Sequence, residues 1–128
     1  MASKNSQSET IKEAVTAATR AISGNKELEI NFGGMGSSLP HPPKNLKELS
    51  AYRGKADSLA CVEKYRDKSV RIASNNEKVN SLIKVMEDSR VEILGSMNYP
   101  GIATNIKSKF DDKCLSLIHI SEPTRLTC

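Results

Sequence analysis

Tryptophan is absent from this chain of 128 residues, and aromatics are scarce, with two Phe and three Tyr. A core built without large rings must come from Ile, Leu, Val, Ala and Met, which suits packed helices better than a sandwich. Cysteine is also sparse. Cys61, Cys114 and Cys128 are odd in number and show no CxxC spacing, so neither a disulfide framework nor a zinc site follows. No apolar run approaches the ~20 residues of a membrane helix. The opening MASKNSQSETIKEA lacks the apolar stretch of a secretory signal, and a reducing cytoplasm is the expected compartment. Nor does one charge dominate strongly. A net charge of +4, with basic and acidic residues interleaved, implies a solvated surface with modest affinity for polyanions.

What is present is helical patterning over a length that fits at most one domain. Thr10 and Glu13 fit a capping box, in which hydroxyl and carboxylate satisfy orphan amides. Ile11, Ala14, Val15, Ala18 and Ile22 follow at helical spacing, and Gly24 reads as the stop. Leu28, Ile30 and Phe32 alternate with polar residues, which predicts a short strand or hairpin near residues 27–32. Gly33 to Pro43 is a loop. A second helix is expected from Asn45, with Glu48 completing a capping box, through Leu49, Tyr52, Ala56, Leu59, Val62 and Tyr65 to about Ile72. Gly54 inside it suggests a close helix crossing. Ser74 to Glu77 caps a third helix whose expected buried face is Val79, Leu82, Ile83, Met86 and Ile93, ending at Gly95. After a turn at Asn98 to Gly101, Ile102, Ala103, Ile106 and Phe110 share one face of a fourth. The expected fold is mainly α: about four amphipathic helices in a small irregular bundle.

Candidate sites are few. Gly33-Gly34-Met35-Gly36 lacks the following helix and the GK[ST] of a phosphate loop, and reads as a connector. His41 stands between two prolines with no second ligand at metal spacing, and reads as a solvated loop residue. Cys61, near the second helix's apolar stripe, reads as a buried inert thiol. Arg53 and Asp57 are four apart and can pair on one helix face. Arg90 and Glu92 point to different faces. These four are candidates for an interhelical ion-pair network or for partner contact, since arginine's planar fork bridges carboxylates well. Lys64, Arg66, Lys68 and Arg71 form a basic stretch. A small basic helical nucleic-acid-binding protein is therefore the alternative class, although sparse aromatics make it the weaker one.

Several blocks, in order, resemble the N-terminal region of the CobT subunit of aerobic cobaltochelatase: ATRAISGNKELEINF (Ala18 to Phe32), LPHPP, RGKADSLA (Arg53 to Ala60), EDSRVEILGSMNYPG (Glu87 to Gly101) and YPGIATN. The resemblance covers roughly Ile11 to Lys113. It departs where Arg66 and Arg71 stand in place of histidines common in the family, so no role of those histidines carries over. It implies part of an ATP-dependent machine that inserts Co2+ into hydrogenobyrinic acid a,c-diamide during cobalamin synthesis. In that machine the AAA+ subunit CobS handles ATP with Mg2+, and the large subunit CobN handles cobalt and the corrin. This region would be a scaffold with no catalytic, cofactor or metal residues, inactive alone, and bound to CobS and CobN rather than to membrane or nucleic acid. The family's acidic linker and von Willebrand A-like domain, with its DxSxS motif, have no counterpart in this chain. The tail LSLIHISEPTR (Leu115 to Arg125) resembles a translated sequencing adapter. The expected organisation is a disordered stretch 1–8, a helical domain 9–113 and a non-native read-through tail 114–128.

Overall fold

A computed structural model of the chain describes residues 2–67, 69 and 74–120. Among the described residues there are four α-helices: α1 (Ala2–Ser23), α2 (Leu49–Tyr65), α3 (Glu77–Asn98) and α4 (Pro100–Ile120). A single 3-10 turn, Leu46–Glu48, leads into α2. The packed bundle is mainly α, as expected from the patterning.

Helix α1 begins eight residues before the expected capping box. Thr10 does not cap: its hydroxyl donates to the Ser6 carbonyl one turn back, at 2.8 Å, as hydroxyls inside helices do. The other end behaves as read. Gly24 takes φ +75° and donates its N–H to the Arg20 carbonyl, closing the helix in a conformation that costs glycine little.

The expected strand near residues 27–32 is not present. Among the described residues the only bridge is an isolated one between Phe32 and Leu39, held by Gly33 N–H to Leu39 O and Leu39 N–H to Asn31 O. With no second strand to pair with, the alternating apolar residues lie extended against helices. Ile30 and Phe32 pack on a cluster of Val15, Leu39, Tyr52 and Ala56. The Tyr52 hydroxyl donates to Pro40 O at 2.8 Å and ties the connector to α2.

Helix α2 is central and touches the other three. Its 3-10 lead-in is capped by Asn45, whose side chain accepts from Lys47 N–H; Glu48 makes no side-chain cap to α2. The helix ends at Tyr65, earlier than expected, and Ile72 lies outside the described residues. Gly54 explains itself. A Cβ there would stand 2.3 Å from the Asn105 carbonyl oxygen and 2.8 Å from Lys109 Cβ, so α2 and α4 cross at backbone contact.

Helix α3 starts where expected, with the Asn76 side chain accepting from Lys78 N–H. It does not stop at Gly95, which is buried inside the helix because a Cβ there would stand 2.2 Å from Cys61 Sγ. Four of the five residues of the expected buried face lie outward, with Leu82, Met86 and Ile93 60%, 64% and 59% exposed and Val79 exposed too; only Ile83 is half-buried. Val91 joins Cys61, Ile102 and Ile106 in the second core cluster instead. Tyr99 alone separates α3 from α4, which opens on Pro100. Proline suits a first helical position, where no N–H is needed. Along α4, Ile102 and Ile106 are buried while Phe110 is half exposed. The helix runs through Cys114 to Ile120.

Candidate functional site

The α2–α4 crossing positions the polar centre of the molecule. Because Gly54 lets the helices meet closely, side chains one turn further along α2 are carried into the interface. Asp57, only 4% exposed, accepts from Asn105 Nδ2 at 2.8 Å. Burial pushes its carboxyl above the ordinary value of 3.8, while the Asn105 hydrogen bond and the nearby Arg53 charge pull it down. A buried carboxylate with one amide donor is weakly compensated, so desolvation dominates.

Beside it lies a three-helix clasp. Lys109 Nζ on α4 meets Glu92 Oε1 on α3 at 2.6 Å and donates to Ser58 Oγ on α2 at 2.8 Å. The Ser58 hydroxyl donates to the same Glu92 oxygen at 2.8 Å. Lys109 and Glu92 are mostly shielded, at 19% and 14% side-chain exposure. Such a pair fixes registry more than it adds stability.

Of the four residues singled out by spacing, the structure brings Asp57 and Glu92 inward. They reach different partners. Arg53 is exposed and makes no ion pair with Asp57 among the described residues, acting on it only through space. Arg90 caps the end of α2 by donating to the Tyr65 carbonyl at 2.8 Å, while it pairs with Glu87 at 2.6 Å. That pairing holds the Glu87 carboxyl below its usual range. Asn105, Ser58 and Lys109 were missed. Their signal was an acid, Asp57, among the small buried residues Gly54, Ala56 and Ala60 of α2, which required a donor on a neighbouring helix.

The remaining candidates are quiet. Cys61 is fully buried, and burial, with Asp57 and Glu92 nearby, pushes its thiol up to about 11; it stays protonated and poorly nucleophilic. His41 is exposed, its ring against Gly33. In the basic stretch, Lys64 donates to the Tyr99 hydroxyl at 3.1 Å and sits over the Tyr65 and Tyr99 rings. Arg66 pairs with Asp88 at 3.1 Å. Lys68 and Arg71 lie outside the described residues. Among the described residues, no three of His, Cys, Asp and Glu come together as metal donors, and no helix is long and apolar enough to cross a membrane.

The comparison with known families is decisive where the geometry is silent. Residues 5–118 match the family of the cobalamin biosynthesis protein CobT. The chain belongs to that family. That family is part of cobaltochelatase, a metal-inserting enzyme complex, which implies involvement in cobalamin biosynthesis. No solved structure matches the chain.

Proposed function

We propose that this bundle is an assembly region of the cobaltochelatase, without a catalytic centre of its own. It binds the AAA+ subunit CobS and the large subunit CobN in the cytoplasm. ATP with Mg2+ belongs to the CobS ring, and Co2+ and the corrin are substrates handled on CobN. ATP hydrolysis in the ring is passed through rigid helical surfaces of this bundle to remodel CobN.

The observation that supports this reading is the use of the polar centre. Asp57 bonds to Asn105 between α2 and α4, and Glu92, Lys109 and Ser58 bond across α3, α4 and α2; together they hold the bundle as a rigid body. Neither charged centre presents a free nucleophile or an open donor set. Arg90 and Arg66 on the rim bond to neighbouring α2 and α3 groups, and Arg53 on the exposed side of α2 is the best placed of the candidate residues for partner contact.

The test is a titration of the full chain into purified CobS and into CobN, followed by light scattering or calorimetry. Saturable binding to either, with no cobalt insertion by the chain alone, is the expected result. Binding to neither sinks the proposal. A salt-sensitive association with duplex DNA or RNA at low ionic strength would instead restore the nucleic-acid reading, because counterion release makes such binding fall steeply with salt.

A further inference from the structure

The glycine-rich connector and His41, each unremarkable alone, meet in one hollow of about 370 Å³. Gly33, Gly34, Ser37, Ser38 and His41 are among the residues that line it. Both ends of the turn are anchored. Phe32 and Leu39 belong to the first core cluster. Gly33 N–H donates to Leu39 O at 2.8 Å, and Leu39 N–H donates to Asn31 O at 3.1 Å. Tyr52 holds the Pro40 carbonyl from α2. Gly33 takes φ +75°, and a Cβ on it would run into the His41 ring, so the histidine packs directly on the turn. A hollow pinned in this way is shaped before a ligand arrives, which spares the cost of ordering it.

The donors that line it lack acceptors. Among the described residues the N–H groups of Gly34, Ser37 and Ser38 make no hydrogen bond, and neither do the Ser38 hydroxyl and the two ring nitrogens of His41. The Ser37 hydroxyl closes the turn by donating to Gly34 O at 3.0 Å. Gly33, Gly34 and Gly36 take φ +75°, +83° and +75°. Backbone that switches into the left-handed region can gather successive N–H groups on one concave side, the arrangement that holds anions.

Charge runs the same way. From Ile30 to Lys47 the chain has no Asp or Glu, yet it carries His41, Lys44 and Lys47. Lys44 and Lys47 form no ion pair among the described residues, whereas Lys12, Lys84, Arg90, Lys107 and Lys109 each meet a carboxylate of their own chain. The number of donors selects the ligand. Three N–H groups, a hydroxyl and an imidazole exceed what the two oxygens of a carboxylate engage well, and they suit the three acceptor oxygens of a phosphoryl group.

We propose that the hollow of residues 33–41 binds a phosphoryl group, free or carried on a small ester, through these backbone donors, Ser38 and His41. This does not depend on the binding of CobS or CobN.

Nitrogen-15 spectra of the full chain test it, titrated at pH 7 and fixed ionic strength with inorganic phosphate, glycerol 3-phosphate, acetate and glycerol. The expected result is saturable shifts of the Gly34, Ser37 and Ser38 amides with the two phosphates and none with acetate or glycerol. Tighter binding of glycerol 3-phosphate names an ester as the ligand, and equal binding names free phosphate. Gly36→Ala adds a side chain that meets nothing within 4 Å but disfavours the left-handed backbone, and should weaken phosphate about tenfold. His41→Ala should also weaken it about tenfold, by removing one donor to a charged acceptor. Both variants should keep the far-ultraviolet circular dichroism of the parent. No saturable shift at tens of millimolar phosphate, an equal response to acetate, or binding indifferent to both variants overturns the proposal.

Discussion

Helices α2 and α3 are both amphipathic and have opposite fates. On α2 the small and apolar residues face inward, and one acid, Asp57, goes in with them. On α3 most of the aliphatic stripe faces outward, and the fully buried contact with α2 is made by Val91 and Gly95, flanked by polar bonds from Glu92 and Arg90. The difference teaches that an amphipathic pattern states which face avoids water, not which neighbour covers it. In α2 the neighbours are α1, α3 and α4 of the same chain. In α3 close approach to α2 is set by two residues, and the larger apolar face is left for another surface.

The largest effect that would break this contrast is at the α2–α4 crossing. Gly54→Val forces a side chain into the Asn105 carbonyl and Lys109 Cβ, and overpacking of this kind costs about 3 kcal/mol. Urea unfolding measures it, and a loss below about 1 kcal/mol would show that the helices can part freely. Next comes Lys109→Met, which strands Glu92 against Ser58. Removing one partner of a mostly shielded pair costs about 2 kcal/mol, less than for a fully buried pair because some water reaches it. Equal stability of variant and parent would mean that the clasp is ornamental.

Asp57 gives a pH signature of smaller size. Its folded carboxyl is raised above 3.8, so the folded state keeps this proton to higher pH than the unfolded chain. Its contribution is therefore most favourable below 3.8 and is lost as pH rises through the raised value. Asp57→Asn should remove that decline, read as a flatter difference in unfolding free energy between about pH 3 and pH 7; an unchanged slope would mean that Asp57 does not titrate differently on folding. The smallest effect sharpens the comparison from the other side. Met86→Gln on the outer face of α3 should change monomer stability by no more than about 0.5 kcal/mol, measured at concentrations where the chain does not self-associate. A loss above about 2 kcal/mol would place that face inside the monomer's core.

Much of the helical content was legible because local chemistry determined it. Gly24 closed α1, Asn76 opened α3, and Ile102 and Ile106 declared the inner face of α4. Errors arose where a local signal had two physical meanings. Thr10 can cap a helix or bond back within one, and only the chain upstream decides. Gly95 can stop a helix or admit a neighbour's sulfur, and only the position of Cys61 decides. The alternation of Leu28, Ile30 and Phe32 specifies an extended segment with one dry side, yet a strand also needs a partner that this connector does not have.

Helical class, the close crossing at Gly54 and the resemblance to the family could be read from the chain alone, because propensity, spacing and short sequence blocks are local properties. Only the tertiary structure decided which polar residues meet and which apolar face stays outside. Asp57 found Asn105, Glu92 found Lys109, and α3 turned its stripe outward. Those outcomes depend on how rigid helices with their small residues in fixed places can approach one another, and no single helix carries that information.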